Sequence, residues 1–192
     1  AERFDGEIVV MDSAQIYQGL PIGTAKPTAE EVARAPHHLL GVFAWSDVCS
    51  AARWAEHARG IINDIAGRGR LPILCGGTFL YLKALVEGLH ALPSSSPEIR
   101  AEFERMAREK GSPALHEELR KSDPETASRL HPNDTQRIVR ALEILNLTGK
   151  GREAHFDEPT VSERPHSSLR AWRGPVAKIA LMPGSREQLR AR

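Results

Sequence analysis

Residues 7–31 read EIVVMDSAQIYQGLPIGTAKPTAEE, and the fold turns on how the opening of this stretch is taken. Ile8, Val9, Val10 and Met11 form a short, mostly β-branched apolar run with no polar alternation, the pattern of a strand buried on both faces of a parallel sheet. The run stops at Asp12-Ser13, and after an aromatic residue the chain enters an open Gly-Thr-Ala-Lys-Pro turn. A carboxylate at the end of such a strand is informative, because open parallel sheets bind ligands beyond the carboxyl ends of their strands.

Working outward, apolar residues at Ala51, Trp54, Ala55, Ala58, Ile61, Ile62 and Ile65 fall at helical spacing, with Ser50 placed to cap the start and Gly67 the end. A second buried strand is expected over 71–75. Gly76-Gly77-Thr78 follows, then a helix running to about Glu87 and closed by Gly88. Strand, helix, strand, helix predicts a parallel α/β sheet with right-handed crossovers. Beyond the Pro93-Ser94-Ser95-Ser96-Pro97 break the patterns are helical only, over 97–110, 113–121, 123–130 and 133–148. Residues 150–175, rich in Ser, Pro, Gly, Arg and Glu, read as a linker. The run 176–182 resumes strand character. The expected organisation is therefore an α/β core over 1–94, a helical insertion with its linker over 95–165, and a return to the core over 166–192.

Composition narrows the class. The 192 residues are 41% hydrophobic and 27% charged, as in ordinary globular proteins. Runs such as 8–11 are far too short to span a bilayer, so a cytoplasmic protein without a membrane segment is expected. Cys49 and Cys75 lack metal-ligand spacing and read as free thiols. The net charge of +1 does not by itself indicate nucleic acid, although seven Lys or Arg and one acidic residue lie between Arg164 and Arg192.

Three groups of residues could carry chemistry. Asp12 is either a ligand-facing carboxylate or a local cap. Gly76-Gly77-Thr78 offers backbone N–H groups and a hydroxyl at a helix start, which suits a phosphate and equally suits a tight turn. On the helix from Asn133, Gln136 and Arg140 share a face with Arg137 beside them, while Ile138, Ala141, Leu142 and Leu145 form the apolar stripe. Forked Arg donors match phosphates and base edges, and a solvated helix face has the same composition. Arg100 is open to both readings. His37 and His38, taken as adjacent on a helix, point apart and have no third ligand, so no metal is assigned there.

The combination is less generic than its parts. MDSAQIYQGLPIGTAKPTAEEVARAPHHLLGV, GRLPILCGGTFLYLKALVEGL and LHPNDTQRIVRALEILNLTGK, in that order, resemble the tRNA dimethylallyltransferase (tRNA isopentenyltransferase) family, and IALMPGSREQLRAR resumes the likeness. The resemblance implies a P-loop-NTPase-like parallel sheet core with an all-helical insertion. It implies transfer of a dimethylallyl group from dimethylallyl diphosphate, with Mg²⁺ assisting, to N6 of adenosine 37 in tRNAs that read codons starting with U. Asp12 matches the family's catalytic base and Thr78 a threonine near the reacting groups. Asp12, Ser13, Ala14, Gln15, Thr78, Arg100, Gln136, Arg137, Ile138, Val139 and Arg140 match positions that contact the tRNA anticodon stem-loop. Tyr17 offers a wall for the flipped adenine.

Family members open with a phosphate-cradling G-x-T-x-x-G-K-[ST] loop ahead of the Asp12 strand, and the residues before Glu7 cannot supply one. The reading is thus of a truncated core: a monomeric fragment lacking the donor loop, the metal site and the C-terminal helices, and inactive alone. A P-loop small-molecule or nucleotide kinase and a non-catalytic RNA-binding remnant compete with it.

Overall fold

The computed structural model describes residues 1–89, 92–152, 176–180 and 187. After a single 3₁₀ turn, Glu2–Phe4, strand β1 (Gly6–Val10) runs through the middle of a three-stranded sheet. Strand β2 (His37–His38) pairs with one edge of β1 and β3 (Leu71–Cys75) with the other, both parallel, with Ile8 opposite Ile73 and Val10 opposite Cys75. β1 is buried as its pattern predicts. β3 is only half-buried, because its outer edge is unpaired among the described residues.

Helix α1 (Ala29–Arg34) starts with a reciprocal cap, in which Thr28 Oγ1 accepts from Glu31 N and the Glu31 carboxylate accepts from Thr28 N. Helix α2 (Ala51–Gly67) makes the crossover from β2 to β3. Ser50 Oγ caps it by accepting from Arg53 N at 3.2 Å. Its Trp54, Ala55, Ala58, Ile62 and Ile65 are buried. The Trp54 indole lies flat on Tyr81, centroids 4.8 Å apart, and its Nε1 donates to Val10 O at 3.1 Å. An indole buried this completely removes roughly 150–250 Å² from water, worth roughly 4–6 kcal/mol before entropy is subtracted. The expected cap at Gly67 is displaced: Gly67 is the last helical residue, and the left-handed turn falls on Gly69, at φ 75°. Helix α3 (Phe79–Val86) follows β3.

Four helices come next, α4 (Pro97–Lys110), α5 (Ser112–Ser122), α6 (Pro124–Ser128) and α7 (Thr135–Thr148), close to the bounds that spacing implied. Ser96, Asp123 and Asp134 cap α4, α6 and α7 through their side chains. Leu115, Leu119, Ile138, Val139 and Leu142 lead a hydrophobic cluster that shares no residue with the one built on β1 and α2.

Two expectations need correction. His37 and His38 lie on β2, not on a helix: β1 exposes an unpaired edge, and His38 is drawn to the buried Glu7, 2.7 Å away. The strand expected over 176–182 is not formed over its described part. Residues 176–180 have no regular structure, and Ile179 is 86% exposed, since β-branched residues make a strand only where an edge accepts them. Of the linker expected over 150–175, residues 153–175 lie outside the described residues, as does the return beyond residue 180 apart from Glu187. Among the described residues no helix is long and apolar enough to cross a membrane.

Candidate functional site

The tips of β1 and β3 are joined into one rigid platform. Met11 N donates to Cys75 O at 2.8 Å, extending the ladder one residue past β1, and Met11 O accepts from Thr78 N at 3.2 Å. Gly76 passes between them at φ 153°, so close that a Cβ there would lie 2.1 Å from Met11 O. Only glycine permits this approach. Thr78 stands at the N-cap of α3 yet makes no side-chain cap bond. Its Oγ1 instead accepts from Ser13 N at 3.0 Å, which leaves the hydroxyl proton available to another acceptor.

Asp12 uses its two carboxylate oxygens differently. Oδ1 accepts from Ala14 N at 2.8 Å and Gln15 N at 3.1 Å, a local turn that fixes the carboxyl plane. Among the described residues no donor reaches Oδ2, and the side chain is only half-buried. Gln15 points away from this opening: its Nε2 donates to Thr24 O and Ala25 O at 3.0 and 2.9 Å and folds the 18–28 loop back on the platform. Lys26 Nζ donates to Tyr17 O. The Tyr17 ring meets Trp45 edge-on at 5.8 Å, and its hydroxyl accepts from Cys49 N at 3.2 Å. Trp45, 72% exposed, and Lys26 were missed by sequence reasoning. A lone Trp in a polar loop and a Lys held between Ala and Pro were the available signals.

The residues expected on the insertion divide. Arg100 and Gln136 line one open groove between α4 and α7, about 450 Å³ in volume, with Glu104, Arg108, Thr135 and Val139. Arg100 Nε is held by Glu104 at 3.1 Å. Arg137 points outward, with 70% of its side chain exposed, and pairs with Asp134 at 3.2 Å. Ile138 and Val139, at 0% and 2% exposure, belong to the core. α7 buries such a stripe every three to four residues. Arg140 turns inward, to Glu143 and Pro93 O. Among the described residues no group of three or more His, Cys, Asp or Glu could hold a metal ion.

The chain thus carries a carboxylate at the tip of a parallel α/β sheet and, further along, a separate helical cluster with Arg100 and Arg137 on its surface. Residues 15–192 match the family model described as IPP transferase, and the chain belongs to that family. It is 45% identical to a tRNA dimethylallyltransferase of Methylococcus capsulatus, covering 99% of this chain and 61% of that protein. It is 47% identical to one of Ralstonia pickettii, covering 100% and 58%. The chain thus spans about three fifths of the length of these relatives. A solved eukaryotic dimethylallyltransferase acting on tRNA superposes with a TM-score of 0.66 at 33% identity, covering 84% of this chain and 40% of that one. The core accordingly has the P-loop-like α/β fold of these prenyltransferases.

Proposed function

We propose that the chain provides the acceptor side of a tRNA dimethylallyltransferase, binding an anticodon stem-loop and presenting N6 of adenosine 37 to dimethylallyl diphosphate. The observation that carries this is the division of labour on Asp12: one oxygen locked by two backbone N–H groups, the other open at the strand tip. In the reaction the N6 nitrogen forms a bond to C1 of the dimethylallyl group. The C1–O bond breaks with its electron pair leaving on diphosphate, and the amine proton passes to Asp12 Oδ2. A base held this way contributes about 10²- to 10⁴-fold in rate. Thr78 donates a hydrogen bond from its hydroxyl, which keeps its proton, to an oxygen of the departing diphosphate, where negative charge develops. Gln136 and Arg137 face the RNA, together with Arg100. The Mg²⁺ expected with the diphosphate belongs to the same proposal, and no step here runs through it. The preference for tRNAs reading codons that begin with U belongs to the same proposal and rests on the family likeness.

Asp12→Asn tests the reading in the product of the complete reading frame. It keeps the Oδ1 turn and removes the base, so N6-dimethylallyladenosine should fall at least about 100-fold while stem-loop affinity is retained. Undiminished product would refute the role given to Asp12.

A further inference from the structure

Arg140 belongs to the segment expected to grip RNA, yet both of its outer nitrogens are committed inside the protein. Nη1 donates to Glu143 Oε2 and Nη2 to Pro93 O, each at 2.6 Å. Glu143 is fully buried on α7, and its other oxygen accepts from Ser95 Oγ at 2.6 Å and Ser96 N at 2.7 Å. Burial opposes the charge on this carboxyl, but the bonds from Ser95, Arg140 and Ser96 N prevail and hold it below the ordinary carboxylate range. Three of the four bonds tie α7 to residues 93–96, the segment that enters the insertion from the core side and caps α4 through Ser96, and the fourth, Arg140 to Glu143, joins the two α7 side chains that make them.

A residue whose task was phosphate contact would keep its fork facing solvent, as Arg137 does with 70% of its side chain exposed against 27% for Arg140. We propose that Arg140 and Glu143 are positioning residues: together they latch the entry segment 93–96 onto α7 and so set how the RNA-holding helices are presented to the strand-tip carboxylate. The inference rests on the reading that this face of α7 holds RNA. A bound stem-loop would remain bound if the latch opened, but its adenine would no longer be delivered accurately. Misplacement by about 1 Å can cost about 100-fold in rate.

The product of the complete reading frame is assayed with an anticodon stem-loop RNA and dimethylallyl diphosphate, well below each variant's unfolding transition. RNA affinity is followed against salt, and kcat is separated from KM. Arg137→Ala should weaken binding and reduce the salt slope by about 0.7, as loss of one single-stranded phosphate contact does. Arg140→Ala should leave that slope unchanged and KM within about threefold, while kcat falls about 10- to 100-fold. Glu143→Gln should behave like Arg140→Ala. A reduced salt slope in Arg140→Ala, a wild-type kcat in either variant, or tighter RNA binding by a guanidinium released in Glu143→Gln would overturn the latch. If Arg140→Ala fails to fold, Arg140→Lys carries the test, because one ammonium cannot span both acceptors. It should lower kcat at constant slope, and wild-type kcat would count against the proposal. Should Arg137→Ala alter neither affinity nor slope, the RNA-face reading fails by itself, and the kcat loss in Arg140→Ala still decides the latch.

Discussion

Gly76 and Met11 approach so closely that a Cβ on Gly76 would sit 2.1 Å from Met11 O and 2.4 Å from Met11 C. The close approach brings the two loops of the site together, because Thr78 N reaches Met11 O and Ser13 N reaches Thr78 Oγ1. Gly76→Ala should therefore destabilise the fold by roughly 3 kcal/mol, combining a left-handed backbone with a clash against the main chain. For a chain of this size that lowers Tm by about 6–12 °C. Gly77→Ala is the control: a Cβ there meets nothing within 4 Å, and Tm should be nearly unchanged. Calorimetry on the two variants separates close approach from a general glycine effect.

Thr78 tests how far the hydroxyl serves the scaffold and how far the chemistry. Thr78→Ser keeps an oxygen for Ser13 N and a proton to donate, and should retain near-normal rate. Thr78→Val removes both at nearly constant volume. Stability should fall by about 1 kcal/mol for the lost hydrogen bond, while kcat falls by tenfold or more. Equal kcat in the Ser and Val variants would remove Thr78 from the transfer step.

Glu7 sits at the opposite end of β1 from Asp12, only 2% exposed, and three groups converge on it: Arg68, Arg70 and His38. The hydrogen bonds from Arg68 lead, with those from Arg70 next, in holding its carboxyl well below the ordinary value of 4.5. A carboxyl depressed in the folded state binds protons more weakly there than in the unfolded chain. The stability it contributes is thus complete above pH 4.5 and is lost as pH falls toward the folded value. Urea midpoints should decline on acidification from pH 5 toward pH 3. Glu7→Gln should be less stable by roughly 2 kcal/mol at neutral pH and should show a shallower acid decline. The decline is not abolished, because Glu143 is depressed in the same direction. An unchanged acid slope in Glu7→Gln would show that Glu7 does not govern this limb.

Much of this arrangement was legible in the sequence where a residue's role is settled by its near neighbours in the chain. α2 follows from the spacing of Trp54, Ala58, Ile62 and Ile65 and from the Ser50 cap, α4 and α6 from Pro at the helix start with Ser96 or Asp123 before it, α5 from Pro113, and α7 from Asp134 before its apolar stripe. β2 was not legible: two histidines carry no apolar period, and they pair only because β1 offers an edge and Glu7 a carboxylate. The fate of Arg140 was equally hidden. Its neighbour on α7 is visible at three residues' distance, but Pro93 O and the Ser95 bond to Glu143 lie 47 and 48 residues away. The motif identified the helix, and long-range partners decided which of its side chains face outward.

Gln15 belongs to the stretch expected to touch RNA, and its amide is spent on the protein's own 18–28 loop. Both Nε2 bonds end on carbonyls, Thr24 O and Ala25 O, and Ala25 is held at φ 50°, a conformation an alanine does not favour alone. Gln15→Glu would aim a carboxylate at two carbonyl oxygens, at a cost of about 1–3 kcal/mol in the stability of that loop. Gln15→Asn keeps the amide but is one methylene shorter. Amide hydrogen exchange over 18–28 should accelerate about 5- to 150-fold in the Glu variant and less in the Asn variant, with β1 and α2 unaffected. The Met11–Gly76 contact does not depend on Gln15, so the Asp12 turn should survive. Activity should fall through RNA affinity, with kcat at saturating RNA largely kept. A variant with normal exchange but weakened RNA binding would mean that the Gln15 amide contacts the RNA directly.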